Sequence, residues 1–292
     1  MATYNMAHYI DAIIYSTLYQ TFEDFEFIIV DDASQDDTVE KIKAYLDPRL
    51  KLLVNKENLK SGYSRNRAIE HASGEYIAVC DADDINMPNR LAVQVEYLDA
   101  HPEIDVVGSN CYVFNAQGKI IGRIMKSGQH EDLIKNIHLD LPLIHPTIMA
   151  RADWFKKYKY RPEYPRGQDY ELFLKSYKTS RFGNIPEFLY AYYDTGQINL
   201  KKYLKSICHN IRMFSRHWRE YELPIKSIIK LPLIFMGRGY YSLILYFCGK
   251  SIFWRSNKNF PADKKIMQDQ EWIMHCFTHK NNKLNKYNIK FN

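Results

Sequence analysis

The sequence predicts an α/β fold with a mostly parallel sheet and flanking helices, followed by a helical C-terminal region. Short apolar segments alternate with helical patterns through the first 194 residues. This alternation is typical of βαβ crossovers, which place parallel strands side by side and cover both faces of the sheet. Beyond residue 196 the patterns are helical only. The chain therefore divides into a first domain over 1–196 and a basic helical region over 197–292.

The elements of the first domain follow from apolar periodicity. The first helix is predicted through Ile10 and Leu18, and the helix after Pro88 carries Leu91 and Leu98 on one face. A hairpin turn is predicted over residues 115–118. Strands are predicted over residues 25–30, 50–54, 75–80, 106–114, 119–124 and 188–193.

Two of the predicted strands end in acidic clusters. Asp31 and Asp32 close the first, and the run Asp-Ala-Asp-Asp over 81–84 closes the strand at 75–80. Acids at the carboxyl ends of neighbouring strands converge on one crevice, where open α/β sheets bind ligands. Like charges this close repel unless a cation or hydrogen-bond donors neutralise them, and Mg²⁺ or Mn²⁺ prefers oxygen ligands. The alternative is an acidic turn in which Asp83 or Asp84 only caps the next helix.

Charge is divided between the two regions. Residues 1–194 carry 22 Lys and Arg against 29 Asp and Glu, a net charge of −7, whereas residues 195–292 carry 18 against 5, a net charge of +13. The negative charge of residues 1–194 favours binding of a metal and a small ligand, and the positive charge of residues 195–292, the basic tail, favours binding to an anionic surface. The five cysteines are scattered without a Cys-x-x-Cys pair, and no signal peptide pattern opens the chain. Reduced thiols and a cytoplasmic location are therefore expected.

The basic tail contains an apolar stretch over residues 228–254. It is interrupted by Lys230, Arg238 and Lys250, and its longest uncharged run, 239–249, has 11 residues. A bilayer-spanning helix needs about 20. Two interpretations stay open: helices that lie on the cytoplasmic face of an anionic membrane, or a helical subdomain that packs on the first domain.

Eight short segments, in order and with similar spacing, resemble the family 2 glycosyltransferases, which are inverting enzymes with the GT-A fold. The resemblance covers about the first two thirds of the chain. The segments are Thr-Tyr-Asn at 3–5, Gln-Thr-Phe-Glu-Asp-Phe-Glu at 20–26, Ile-Val-Asp-Asp-Ala-Ser at 29–34, Tyr-Ser-Arg-Asn at 63–66, Gly-Glu-Tyr-Ile-Ala at 74–78, Asp-Ala-Asp-Asp at 81–84, His-Pro-Thr at 145–147 and Gln-Asp-Tyr-Glu-Leu at 168–172.

The resemblance implies a nucleotide-sugar donor with uridine as the expected base, bound by Thr3, Tyr4, Asp32, Arg65 and Asp81. Tyr4 would pack on the base and Asp32 would accept a hydrogen bond from it. Arg65 would lie beside the phosphates, and Asp81 near the ribose.

It also implies that Asp83 ligates Mn²⁺ or Mg²⁺ and that Asp169 is the general base for an acceptor hydroxyl. Asp169 opens a predicted helix, where the helix dipole favours the ionised form that a base requires. The implied acceptor is a saccharide or a lipid-linked sugar, in cell-surface polysaccharide or glycolipid synthesis. The implied setting is the cytoplasm, with peripheral attachment to the cytoplasmic face of the membrane.

Two departures from the family pattern stand out. Members usually begin with a full apolar strand before Thr-Tyr-Asn, whereas here only Met1 and Ala2 precede it. A shortened first strand is expected to affect stability and the base pocket together. Gln168 stands where the family usually has Glu, a change that is tolerable if that position orients its neighbours and that alters specificity if it binds acceptor.

Two other classes of function stay open. Phosphatases and phosphotransferases of the haloacid dehalogenase type also place Asp-x-Asp after a strand, but the residues around 81–86 fit their pattern poorly. The other class is a non-catalytic nucleotide-sugar-binding or degenerate protein. No recognised motif supports nucleic-acid binding by the tail, and no nucleic-acid partner is expected.

Overall fold

A computed structural model describes residues 1–138, 140–195, 200–221, 237 and 264–278 of the chain. Its first half alternates strands and helices as predicted. The elements in order are β1 (Ala2–Thr3), α1 (Ile10–Leu18), β2 (Phe27–Asp31), α2 (Thr38–Lys43), β3 (Leu50–Val54), α3 (Ser61–Glu70) and β4 (Tyr76–Ala78).

A three-stranded parallel sheet forms first, in the order β1-β2-β3. Every residue of β2 is buried, which explains its almost continuous apolar sequence, because a central parallel strand is covered on both faces. The two residues of β1 lie beside Val30 and Asp31 of β2. This register brings the ends of β1 and β2 to the same edge of the sheet.

The second half of the domain contains its two longest strands, Val106–Phe114 and Phe182–Tyr193. It contains β5 (Ile85–Asn86), α4 (Arg90–Ala100), β6 (Val106–Phe114), β7 (Ile120–Ile124), α5 (His130–Ile134), a 3₁₀ turn (His145–Thr147), β8 (Met149–Arg151), α6 (Ala152–Lys157), α7 (Gln168–Ser176) and β9 (Phe182–Tyr193).

The second sheet is mixed. Its strand order is β4-β8-β6-β9-β5, with β7 also paired to β6. Only β6 and β9 run parallel, and the pairs β4–β8, β6–β8, β6–β7 and β5–β9 are antiparallel. The α/β fold with flanking helices is confirmed, and its parallel pairing is concentrated in the first sheet. The predicted hairpin between β6 and β7 accounts for one antiparallel pair, since its turn is closed by a hydrogen bond from Gly118 N to Asn115 O (2.8 Å).

The described part of the tail packs on the first domain. α8 (Leu200–His217) adds Met213 and Phe214 to the core cluster that contains Phe173 of α7. α9 (Lys264–Thr278) adds Trp272 and Ile273 to the core beside α1 and β6. None of the helices in the described ranges is long and apolar enough to cross a membrane. The apolar stretch 228–254 lies outside the described residues, apart from Gly237.

A cavity of about 670 Å³ separates the two sheets. β1 is the end strand of the first sheet and β4 the end strand of the second. The cavity is lined by β2, β4, α3 and α4, with apolar residues from each: Phe27, Ile28, Ile77, Ala78, Ala68, Ile69 and Leu91. Met1 also lines this cavity, and its main-chain nitrogen donates to Ile28 O (2.8 Å).

Candidate active site

The candidate site lies at the carboxyl ends of β1 and β2, beside the segment that follows β4. Asp32 directly follows β2, and Asp81 follows β4 after two further residues, of which Val79 still donates to Ile148 O (2.9 Å). Both predicted acid clusters therefore lie at strand ends, as the apolar periodicity of the sequence indicated.

Asp32 is the most heavily hydrogen-bonded carboxylate of this edge. It is buried, and its Oδ1 accepts from Asn55 Nδ2 (2.7 Å), Leu59 N (2.9 Å) and Ser64 Oγ (3.0 Å). Its Oδ2 accepts from Lys60 N (2.8 Å). Lys60 has a positive φ of 73°, an uncommon conformation for a residue with a side chain. Asp32 thus fixes the turn that leads into α3.

Thr3 and Tyr4 continue β1 toward the same edge. Thr3 is buried beside Asp31, and its carbonyl accepts from Asp32 N (2.9 Å). Tyr4 is 40% exposed. The next residue, Asn5, is tied to the end of β2 because its backbone N–H donates to Ser34 Oγ (2.8 Å). The ring of Tyr4 is accessible at the strand edge, and its predicted contact with a base stays a prediction.

Arg65 and Asp81 form a partly buried ion pair at the centre of the site. Nη2 of Arg65 donates to Asp81 Oδ1 (2.8 Å), and Nη1 lies 3.3 Å from Gln168 Oε1. Burial alone would raise the pKa of Asp81, but the charge of Arg65 and its hydrogen bond, together with the other positive groups nearby, lower that pKa below its usual value. The pKa of Arg65 is raised in turn by Asp81, against the effect of burial. The pair is therefore fully charged at neutral pH.

His145 and Tyr160 cover the other side of Arg65. His145 Nε2 and the Tyr160 hydroxyl are hydrogen-bonded at 2.8 Å, and the Arg65 guanidinium lies 5.6 Å from the centre of the Tyr160 ring. Burial, and then the charge of Arg65, lowers the pKa of His145 to about 4. His145 is consequently neutral near pH 7, which suits a positioning side chain better than a proton donor.

The three acids of 81–84 have three different environments. Asp84 is completely buried, and its Oδ1 accepts from Tyr193 N (2.8 Å). Burial, followed by the charges of Asp83 and Asp81, raises the pKa of Asp84 well above its usual range. Asp84 therefore ties the acid turn to β9, whereas Asp83 is half-buried between the two.

The ligand chemistry of this turn suits a hard cation that is shared with a substrate. Asp81 and Asp83 offer carboxylate oxygens, which are the ligands that Mg²⁺ and Mn²⁺ prefer. In the described part of the chain, no three His, Cys, Asp or Glu side chains are arranged as a metal cluster. A cation at Asp83 would accordingly take several of its ligands from substrate phosphates and water, a coordination typical of Mg²⁺.

Asp169 lies in the first turn of α7, after Gly167, which has a left-handed φ of 72°. A side chain at Gly167 would be strained by this φ and would collide with Asn210 of α8. Gln168 packs against Gly62 of α3, where even a Cβ atom would come within 2.9 Å of the Gln168 amide. These close approaches fix the start of α7 against α3 and α8.

A second cavity, of about 420 Å³, is lined by residues of α3, α7 and the segment after β4. Of the predicted residues it contains Arg65, Asp81 and Asp169, and it does not contain Thr3, Tyr4, Asp32 or Asp83. Other residues of its wall were not predicted: Ser61, Lys126, Asp140 and Arg166. Ser61 and Arg166 each lie two residues before a recognised segment, 63–66 and 168–172, whereas Lys126 and Asp140 carried no local signal. The larger cavity between the sheets shares Arg65 but lacks Asp81 and Asp169.

The mixed α/β fold of the chain is that of the GT-A glycosyltransferases. The model of the family "Glycosyl transferase family 2" matches residues 1–159. A relative described as an uncharacterized glycosyltransferase of Methanocaldococcus jannaschii is 32% identical over 253 residues, covering 84% of this chain and 86% of the relative. The chain belongs to family 2 of the glycosyltransferases.

Two further proteins are informative. A UDP-Glc:α-D-GlcNAc-diphosphoundecaprenol β-1,3-glucosyltransferase of Escherichia coli, WfgD, is 33% identical over 155 residues, covering 50% of this chain and 60% of that protein. The crystal structure of S. aureus TarS 1-349 in complex with UDP-GlcNAc has a TM-score of 0.62 at 21% identity, covering 82% of this chain and 71% of that one. The structural likeness supports the GT-A fold.

Replacement of Asp32 by Ala is expected to destabilise the fold strongly. It would leave Asn55, Ser64 and the N–H groups of Leu59 and Lys60 without their acceptor, and each buried polar group left unsatisfied costs about 1–3 kcal/mol. We expect the unfolding free energy to fall by about 3 kcal/mol or more in urea denaturation. Asp37→Ala is the matched control, because Asp37 is exposed and forms no cap hydrogen bond, and it should change stability by less than about 0.5 kcal/mol. Similar losses in both variants would contradict the assigned role of Asp32.

Proposed function

We propose that this chain transfers a sugar from a nucleotide-diphosphate donor, with uridine as the base, to an acceptor hydroxyl with inversion at the anomeric carbon. The observation that carries the proposal is the single cavity that holds the Arg65–Asp81 ion pair and the Asp169 carboxylate. Inverting transfer needs a base on the acceptor side and positive charge on the leaving-group side. Asp169 and Arg65 are residues of those two types in one cavity.

In the proposed reaction, the acceptor oxygen attacks the anomeric carbon as the bond from that carbon to the diphosphate oxygen breaks. The electron pair of the broken bond goes to the diphosphate, and the acceptor proton goes to the Asp169 carboxylate. One in-line displacement inverts the configuration. Arg65 would stabilise the charge of the departing diphosphate, and the neutral His145–Tyr160 pair would hold the guanidinium in place.

A divalent cation, Mg²⁺ or Mn²⁺, would be held by Asp83, with Asp81 beside it. When bound, such an ion neutralises diphosphate charge. Asp84 supports this arrangement, because its carboxylate accepts a hydrogen bond from Tyr193 N and this bond fixes the turn that carries Asp83.

The proposed acceptor is a saccharide, free or lipid-linked, in cell-surface polysaccharide or glycolipid synthesis. The name of WfgD states a diphosphoundecaprenol-linked acceptor for that relative. A cytoplasmic protein attached to the cytoplasmic face of an anionic membrane would meet both a soluble donor and such an acceptor. Cys80, Cys111, Cys208 and Cys276 are free thiols, which is the usual state of cysteines in the cytoplasm.

The direct test is a screen of nucleotide sugars with the full chain, in which both donor binding and donor turnover are measured. The proposal expects binding and metal-stimulated turnover of a UDP-sugar. Binding of a UDP-sugar without turnover in the presence of acceptor extracts would instead favour a non-catalytic nucleotide-sugar-binding protein.

Asp83→Ala should remove the metal-dependent part of donor binding and abolish turnover. The fold should survive, because an acid in this cluster adds repulsion to its neighbours. Calorimetry of UDP with and without Mn²⁺ measures the effect, and the metal-independent binding serves as the internal control. A variant that still binds UDP more tightly with Mn²⁺ would rule out Asp83 as the ligand.

Asp169→Asn should lower the transfer rate by about 10²–10⁴-fold, the usual contribution of a general base, with little change in donor affinity. Asp153→Asn is the matched control, because Asp153 also lies in the first turn of a helix, α6, and its side chain is 92% exposed. Steady-state kinetics and UDP-sugar calorimetry measure both variants. Normal transfer by Asp169→Asn, or loss of donor binding, would exclude the assigned role.

A further inference from the structure

α8 has one strongly basic face. Its 18 residues include five Lys or Arg and no Asp or Glu. Lys205, His209, Arg212 and Arg216 are spaced i, i+4, i+7 and i+11, which places them along one side of a helix. We call these four residues the basic stripe. Lys205, Arg212 and Arg216 are exposed and His209 is half-exposed.

The opposite side of α8 is built into the catalytic domain. Met213 and Phe214 are fully buried, and the Phe214 ring lies 5.3 Å from the ring of Tyr170 on α7. His217 Nε2 is hydrogen-bonded to the Tyr164 hydroxyl (2.5 Å). The apolar side of α8 is thus buried in the core. The basic stripe lies on the side of α8 that is exposed to solvent in the described part of the molecule.

The basic stripe has no counter-charge among the described residues. The only acid over 200–221 is Glu220, and it is paired with Arg161 and His217. No ion pair of the described residues involves Lys205, Arg212 or Arg216. Surface charges of a soluble domain usually alternate in sign, whereas an unbroken row of bases favours an anionic surface.

Residues of α8 next to the basic stripe contact the wall of the active-site cavity. Arg166, which lines that cavity, donates to Ser206 of α8 (3.3 Å), and Gly167 packs against Asn210. The loop 165–167 leads directly into Gln168 and Asp169. The stripe is therefore separated from the cavity wall by about one helix diameter, roughly 10 Å.

We propose that the basic stripe docks the protein on an anionic lipid surface and thereby brings the acceptor side of the active site to the membrane. The occupant of this face is a bilayer with anionic headgroups, bound by charge along about 16 Å of helix, at 1.5 Å for each residue from 205 to 216. The apolar side of α8 stays in the core, so attachment is electrostatic and reversible. The benefit of membrane docking rests on the proposed transfer to a lipid-linked acceptor. The binding of the basic stripe to the membrane does not depend on that reaction.

The test is flotation of the full chain with vesicles of phosphatidylcholine, with and without phosphatidylglycerol, at physiological salt. Each basic residue near an anionic surface contributes about fivefold to partitioning. The variant Lys205→Glu/Arg212→Glu/Arg216→Glu is therefore expected to bind anionic vesicles at least about 100-fold more weakly. The double variant Arg212→Lys/Arg216→Lys should bind like the original chain, because the charge is kept.

The matched control is Lys43→Glu/Lys56→Glu/Lys119→Glu, which makes the same change in net charge at exposed positions of the catalytic domain. It should bind anionic vesicles almost normally, because charges more than a Debye length away, about 8 Å, are screened. Equal losses in the two triple variants, or no loss in the α8 variant, would overturn the proposal. So would binding of the original chain that ignores phosphatidylglycerol.

Two readouts separate this proposal from the proposed function. UDP-sugar calorimetry on the α8 variant should be unchanged, which also verifies that the variant is folded; Lys205→Gln/Arg212→Gln/Arg216→Gln replaces it if charge reversal disturbs the helix. Vesicle binding that depends on the stripe while no nucleotide sugar binds would support the docking surface and reject the proposed chemistry. Binding of the stripe to a single-stranded oligonucleotide but not to anionic vesicles would reject the docking surface.

Discussion

The ion pair of Arg65 and Asp81 holds the candidate site together. A charge that is withdrawn from water is unfavourable unless it is paired, and most of each side chain of this pair is withdrawn, since Arg65 is 19% and Asp81 29% exposed. The pair joins α3 to the chain after β4, and the weaker contact of Arg65 with Gln168 adds the start of α7. One guanidinium thus links three elements that are far apart in the sequence.

Gln168 gains importance from this arrangement. A carboxylate at that position would give Arg65 a second negative partner next to Asp81, and would place another negative charge beside Asp169. The neutral amide holds Arg65 through its oxygen and leaves more of the positive charge to a bound anion. The departure from the usual family residue therefore has a local electrostatic consequence, and the Gly62 contact shows that α3 is shaped to admit this side chain.

The sequence predicts the strand ends well because each depends on a local pattern. Apolar runs that stop at acids identify β2 and β4, and the turn at 115–118 identifies the hairpin of β6 and β7. The mixed second sheet depends instead on pairs such as β4 with β8, whose partners Tyr76 and Arg151 are 75 residues apart in the chain. No local periodicity records such a pairing, so the antiparallel pairs of the second sheet other than the β6–β7 hairpin could not be predicted from the sequence. The Asp32 network and the Tyr160 contact are missed for the same reason, since their partners come from separate segments.

The acid turn 81–84 shows why composition alone cannot assign roles. Three aspartates within four residues share one local sequence, yet the pKa is lowered for Asp81 by Arg65 and raised for Asp84 by burial. The charged member faces the cavity and the buried one anchors the turn to β9, which leaves Asp83 between an anchor and an ion pair. Asp83, the proposed metal ligand, is the remaining acid of this turn and is half-buried. Asp32 is a weaker candidate for that role, because a carboxylate that already accepts four hydrogen bonds from the protein has fewer lone pairs left for a cation.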